Sequence, residues 1–296
     1  MQDRALRIAV ASGKGGTGKT TISLGLAASC DCEVTLIDCD VEEPNVHLFT
    51  LNSENNQSNL QNQENKCERA CFSVDIPAFN ETLCDGCGIC KSACFFNAIT
   101  IIGNTPLFFP ELCHSCGSCF DQCPKNAITV VSKGIGETRK WKHGKINCID
   151  GRLNIGEAKS PPLIKQIKKS AINDNLIFID CPPGTSCPFV AAVNNADYVV
   201  LVTEPTPFGL NDLKLAVEAL EKLGIKFGII INKADSNSNI ITDYCVSKNI
   251  TVLGRLPLSR EIAQVYSRGK IPALEIPALK SEYKKILENV IKEASK

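Results

Sequence analysis

Apolar positions along this chain follow two rhythms. Short unbroken runs recur: LRIAVA at 6–11, the start of VTLIDCD at 34–40, LIFID at 176–180, YVVLVT at 198–203 and FGIII at 227–231. Runs of that length, rich in β-branched residues and without a polar face, read as strands buried on both sides. Between them lie stretches whose apolar residues return every three or four positions, such as TISLGLAASC after the first run and LNDLKLAVEALEKLG at 210–224. That period marks amphipathic helices. The alternation predicts an α/β fold with a mostly parallel sheet covered on both faces, and ligands at the C-terminal strand ends. The closing SEYKKILENVIKEASK carries a stripe of Tyr283, Ile286, Leu287, Val290 and Ile291. It reads as a packed helix rather than one lying on a membrane.

The rhythm breaks in the middle of the chain. Residues 50–66 are polar and rich in Asn and Gln, the composition of a loop or linker. Beyond them an internal repeat appears: CDGCGICKSACFFNAIT (84–100) aligns without gaps to CHSCGSCFDQCPKNAIT (113–129). Each copy is C-x2-C-x2-C-x3-C, the bacterial ferredoxin run in which the fourth cysteine serves the other cluster. This predicts two [4Fe-4S] clusters, one held by Cys84, Cys87, Cys90 and Cys123, the other by Cys113, Cys116, Cys119 and Cys94. Gly88 and Gly117 let the backbone approach the sulfides, and each fourth cysteine is expected to open a short helix. Phe95 stands where the second copy has Pro124. Zinc is the competing reading, but a zinc site needs only two Cys pairs and no such repeat.

The 17 cysteines agree with metal binding in a reducing compartment better than with disulfides. Of the rest, Cys30, Cys32, Cys39, Cys148, Cys181 and Cys245 read as small core residues, and Cys67 and Cys71 form a C-x3-C that could bind metal. His47, His114 and His143 are scattered, with His114 expected to be a solvated loop residue; Trp141 reads as packing. The net charge is zero, hydrophobic residues make up 44% and charged residues 22%. A globular cytoplasmic protein is expected, without bulk attraction to nucleic acid or membrane. No apolar run approaches the ~20 residues of a membrane span, and the first residues lack a signal-peptide pattern.

After the first strand comes GKGGTGKT (13–20), which fits G-x-x-x-x-G-K-[ST]. Gly13, Gly15, Gly16, Thr17, Gly18 and Thr21 frame a loop whose backbone amides can face phosphate, aided by the helix N-terminus. Lys19 is expected at the β/γ phosphates and Thr20 on Mg²⁺. Lys14, just inside the first glycine, resembles the deviant Walker A lysine of the MinD/ParA/Mrp-type ATPases, relatives of the nitrogenase iron protein. VTLIDCDVEEPN (34–45) resembles their switch I, NLIFIDCPPGTSCP (175–188) their Walker B and switch II, and FGIIINKAD (227–235) and the stretch 251–272 their base-binding segments.

The resemblance implies ATP and Mg²⁺ as ligands and a P-loop fold. Lys14 would reach a dimer partner's ATP, Asp40 and Asp180 would act at Mg²⁺ through water, and Gly184 would sense the γ-phosphate. Asn232 and Pro257 would hold adenine, with Asp38 structural and Arg260 of unassigned role. Asp235 completes an N-K-x-D that raises a GTP alternative. Cys187 lies seven residues after Asp180, the spacing of a cluster-ligating cysteine in the nitrogenase iron protein, and so is a candidate for a metal centre bridging a dimer. The whole chain resembles MinD-family ATPases with an inserted ferredoxin domain of small α+β type, as in orange-protein-type systems. The ATPase would comprise 1–77 and 133–296, the insert 78–132.

That implies an ATP-dependent homodimer, or a heterodimer with a paralogue, serving a metalloprotein or metallocluster-assembly client through cluster assembly, insertion or electron delivery, with slow, partner-stimulated ATP hydrolysis. The alternative is a MinD/ParA-like positioning switch whose clusters are structural or redox-sensing.

Overall fold

The computed structural model describes residues 5–51, 67–171, 175–234 and 238–296. Nearly all of the expected linker at 50–66 lies outside them, and so does Asp235. The strands, in chain order, are β1 (Leu6–Ala11), β2 (Val34–Asp38), β3 (Glu68–Phe79), β4 (Ile99–Ile102), β5 (Thr105–Phe108), β6 (Ile128–His143), β7 (Ile146–Leu153), β8 (Leu176–Asp180), β9 (Tyr198–Thr203), β10 (Phe227–Ala234) and β11 (Val252–Pro257). Nine of them form one sheet in the order β11-β10-β9-β1-β8-β2-β7-β6-β3. Pairing is parallel from β11 through β7. The unbroken apolar runs are the central strands, and β8 and β9 flank β1 as fully buried neighbours.

Alternate strand residues feed opposite faces. Ile8, Val10, Leu36, Phe178 and Val200 pack with helices Lys19–Ala28 and Pro277–Ala294 on one side. Ala9, Ala11, Ile37, Ile177 and Leu201 pack with helices Ser160–Lys169, Cys187–Val193 and Pro207–Leu223 on the other. The terminal helix buries Tyr283, Ile286, Leu287 and Val290, while Ile291 stays exposed, so the apolar stripe is spent on the core. Tyr283 fits against Gly25, where any Cβ would meet its ring at 2.3 Å. Trp141 is buried, and its indole N–H donates to Thr50 Oγ1 at 2.9 Å. No helix among the described residues is long and apolar enough to cross a membrane.

At the far edge the sheet turns antiparallel. β6 pairs with β7 over 136–143 and with β3 from Lys140 back to Ile128. The β3/β6 ribbon thus begins as the sheet's last two strands and carries on to Phe79 and Ile128. The expected boundaries at 78 and 132 fall inside these two strands. Where the ribbon departs, the partners of Phe72 and Ser73 slip from Gly136 to Gly134. Ile135 is the extra residue of this bulge, fully buried against Leu153 and Leu163.

Both cysteine repeats lie between the ribbon's ends. Each contains a short helix, Ile89–Ala93 or Ser118–Asp121, begun by a glycine at positive φ, Gly88 (79°) or Gly117 (81°). The fourth cysteines follow these helices rather than opening new ones: Cys94 caps Ile89–Ala93, Cys123 comes one residue after Gln122, the cap of Ser118–Asp121, and the next turns need left-handed Asn97 (φ 53°) and Asn126 (φ 49°). Ile99 and Ile128, equivalent in the repeat, share one small core with Cys90.

Candidate functional site

The loop of residues 12–18 links β1 to helix Lys19–Ala28 at the C-terminal edge of the parallel strands. Gly18 caps that helix at φ 92°. Gly13 lies so close to the helix after β9 that a Cβ there would meet the Asp212 carbonyl oxygen at 2.1 Å. Lys19 is buried behind the loop. Ser23 Oγ donates to Asp180 Oδ1 at 3.0 Å, and the Thr20 hydroxyl also bonds this carboxylate. Lys19, Thr20 and Asp180 therefore converge.

Three aspartates stand in register across neighbouring strands, Asp150 beside Asp38 and Asp38 beside Asp180. Asp38 accepts the backbone N–H of Asp40 (3.0 Å), Asn45 (2.8 Å) and Val46 (3.0 Å), so it shapes the turn that presents Asp40. Burial and the neighbouring Asp180 charge push the Asp38 carboxyl well up. Asp180 is raised to about 6 by burial. Asp40 is also raised to about 6, by burial and by Asp180's charge, although Lys19 opposes the shift. A divalent cation among these acids would reverse that logic.

The remaining candidate residues bond to the phosphate loop or stand beside it. Asn232 Nδ2 donates to the Thr17 carbonyl at 2.8 Å, so here it braces the phosphate loop from below. The Gly184 amide donates to the Ser12 carbonyl at 3.2 Å, tying the segment after Asp180 to the same loop. Pro257 ends β11 at the same sheet edge as Asn232. Sequence reasoning missed Glu204, at the end of β9. One of its oxygens lies 3.7 Å from Lys14 Nζ and the other 2.6 Å from Lys233 Nζ, which also donates to the Gly16 carbonyl. The glutamate in VTEPTP was the available signal, since a carboxylate ending a central strand faces the loop.

The eight repeat cysteines separate into two sets. Cys94, Cys113, Cys116 and Cys119 line a cavity of about 190 Å³. Cys84, Cys87, Cys90 and Cys123 line a smaller one of about 20 Å³. Each cavity thus draws three cysteines from one repeat and the fourth from the other. The Ala98 amide donates to Cys94 Sγ at 3.2 Å and the equivalent Ala127 amide to Cys123 Sγ at 3.3 Å. Among the described residues, no three His, Cys, Asp or Glu side chains are grouped to hold a single metal ion. Soft sulfur donors with amides directed at sulfur have the donor chemistry of an iron–sulfur cluster site.

Phe95 is 88% exposed and sits edge-on to Phe96, whose ring stacks on His114 at 3.7 Å. His114 is exposed in a loop, as expected, and its ring forms half of an aromatic pair bordering the larger cavity.

Among the other cysteines, Cys39, Cys148, Cys181 and Cys245 are buried as expected, but Cys32 is exposed in the turn after Lys19–Ala28. Burial pushes the Cys148 and Cys181 thiols up to about 12, which leaves them inert. Cys67 and Cys71 lie four residues apart in extended chain, about 13 Å, too far to share an ion. Cys187 is exposed at the start of its helix, beside a cavity of about 200 Å³ lined by Asp40, Glu42, Ser160 and Pro183.

This phosphate loop on a parallel sheet, with its acids at the strand ends, defines a P-loop nucleotide-binding protein. The chain belongs to the family described as the CobQ/CobB/MinD/ParA nucleotide binding domain, which matches residues 8–273. It is 31% identical over 283 residues to the uncharacterized protein MJ0579 of Methanocaldococcus jannaschii, covering 89% of this chain and 90% of that protein. A cytosolic Fe-S cluster assembly factor, the Nubp2 homolog of Aedes aegypti, is 25% identical over 155 residues, covering 45% of this chain and 58% of that protein. The septum site-determining protein MinD of Pyrococcus horikoshii, solved with Mg-ADP, shares the fold with a TM-score of 0.59 at 18% identity. That match covers 97% of this chain and 96% of that one.

Proposed function

We propose that this chain is an ATP-binding and ATP-hydrolysing iron–sulfur protein. It acts as a nucleotide-switched dimer that assists metallocluster assembly or insertion, or electron delivery, on a partner metalloprotein. The observation that carries the reading is the crossed sorting of the eight cysteines into two cavities on a nucleotide-binding scaffold. The partial likeness to a cytosolic Fe-S cluster assembly factor supports the same direction.

In the nucleotide half, the loop amides and Lys19 would offset phosphate charge, and Thr20 and Asp180 would hold Mg²⁺, which supplies further charge neutralisation. Asp40 orients the attacking water, and Lys14 completes the neighbouring subunit's site in a homodimer or a heterodimer with a paralogue. Because the chemistry is positioning and charge neutralisation, turnover is slow until a partner fixes the geometry. In the other half, Cys84, Cys87, Cys90 and Cys123 would hold one [4Fe-4S] cluster and Cys94, Cys113, Cys116 and Cys119 the second. Bound there, the clusters would supply one-electron redox chemistry. The Ala98 and Ala127 amides stabilise negative charge on Cys94 and Cys123. Cys187 of two subunits could share a further metal at the dimer axis; unchanged metal content and dimerisation in Cys187→Ser would exclude that.

The test is anaerobic purification of the full chain with iron and sulfide analysis, followed by ATP turnover with and without candidate metalloproteins. Iron with labile sulfide and ATP hydrolysis are expected together. Turnover by a chain that never takes up iron would contradict the iron–sulfur reading, and partner localisation that survives loss of both clusters would favour the positioning-switch alternative.

A further inference from the structure

Residues 153–160, which leave β7 and enter helix Ser160–Lys169, hold two parts of the molecule at once. One is the segment carrying Asp40: the Leu153 amide donates to the Val41 carbonyl at 2.9 Å, and Ser160 Oγ donates to Glu42 Oε1 at 2.6 Å. The other is the ribbon carrying the cysteine repeats. The Asn154 amide donates to the Ile135 carbonyl at 2.9 Å, Asn154 Nδ2 to the Gly134 carbonyl at 3.3 Å, and Glu157 pairs with Lys133 Nζ at 3.0 Å. Adjacent amides, 153 and 154, thus bind the two parts separately.

The sequence explains why these bonds form here. The bulge at Ile135 breaks the ladder, which leaves the carbonyls of Gly134 and Ile135 for Asn154. One part of the contact is dry: Glu157 and Lys159, 3.2 Å apart, have side chains only 8% and 6% exposed, while Asn154 is exposed and the Lys133 side chain is 34% exposed. Burial alone would raise the Glu157 carboxyl, yet Lys133 and Lys159 together hold it below the usual range. Ser160 is 1% exposed, and its hydroxyl and Glu42 border the cavity that also contains Asp40 and Pro183. Leu153, Lys159 and Ser160 are buried, so the two ends of the segment are packed and carry a displacement rather than absorbing it locally.

We infer that Ser160 is a positioning residue for nucleotide hydrolysis, fixing the Asp40 segment through Glu42, and that residues 153–157 tie that position to the cysteine-bearing ribbon. The inference rests on the nucleotide half of the function proposed above and does not require the cysteines to be loaded. Nucleotide that moves Asp40 moves residues 153–160, and with them the ribbon. By reciprocity, whatever shifts the ribbon changes nucleotide affinity.

The experiment is hydrogen–deuterium exchange on the full chain with and without magnesium and a non-hydrolysable ATP analogue, with steady-state ATP turnover measured beside it. In the parent protein the analogue should protect residues 13–20 and also alter exchange at 130–136 and 153–154. Ser160→Ala and Glu42→Ala should each abolish the ribbon response while keeping protection at 13–20. Each should lower kcat severalfold with KM little changed, and the double variant should be no worse than either alone. Glu42→Gln, which keeps an acceptor oxygen, should retain the response. Protection at 13–20 with an unmoved ribbon in the parent, or a full ribbon response in Ser160→Ala, overturns the inference alone. No protection at 13–20 overturns the nucleotide reading and the inference with it.

Discussion

Glu204 holds Lys14: its Oε2 lies 3.7 Å from the lysine Nζ, inside the same subunit. The other carboxylate oxygen engages Lys233, so one acid gathers two cations at the mouth of the phosphate loop. A lysine that is to reach a partner's nucleotide must leave this acid. Glu204→Gln should therefore let the dimer form at lower nucleotide concentration, measured by light scattering across an ATP-analogue titration. Lys14→Ala should retain much nucleotide binding and lose dimer-dependent hydrolysis, whereas Lys19→Ala should lose binding itself. Normal turnover in the Lys14 variant would exclude the deviant role of that lysine.

Asp40 and Asp180 predict a particular pH dependence. Both carboxyls are raised from 3.8 to about 6. Between those values the folded chain keeps protons that the unfolded chain has released, so stability falls as pH rises from about 4 to about 6. Mg²⁺ requires the ionised acids, so its binding should expel protons near pH 6 and weaken below it. Urea unfolding of the nucleotide-free chain at pH 4.5 and 6.5 checks the first statement. Proton release on adding Mg²⁺ and nucleotide, measured by calorimetry in buffers of different ionisation enthalpy, checks the second.

Much of this was legible because it was local. The glycines of the loop, the apolar runs and the cysteine spacing are each decided within about twenty residues. The sheet's antiparallel edge is not local: β3 contains Pro77 and β6 contains Gly134 and Gly136, residues that weaken a strand reading. Only their pairing, Glu68 to Lys140 through Phe79 to Ile128, makes them strands. The same applies to Glu204 and Asn232, whose partners Lys14 and Thr17 lie far away in sequence. Cys94 was misplaced at the start of a helix because the glycine that begins the helix, Gly88, stands before the third cysteine and not after the fourth.

Arg139 on β6 meets Asp150 on β7 in a buried two-point contact, Nε to Oδ1 at 2.8 Å and Nη2 to Oδ2 at 2.5 Å. The carboxylate is fully buried, and Asp38 stands beside it in the sheet. Removing the guanidinium leaves that charge without its counter-ion, a defect costing about 3–5 kcal/mol. Arg139→Met should lower unfolding free energy by that order in urea titrations. Replacing Arg139 and Asp150 together by apolar residues should recover much of it.

The central claim is the crossed ligation of two clusters. Its most direct test is iron and labile-sulfide content, with electron paramagnetic resonance of the reduced protein, in the parent chain and in Cys94→Ser, all prepared anaerobically. About eight irons per chain are expected in the parent and about four in Cys94→Ser. The signal lost should be the one also lost in Cys116→Ser, and the signal kept should be the one removed by Cys123→Ser. Zinc in place of iron, or a Cys94→Ser protein that loses the same signal as Cys87→Ser, would contradict it.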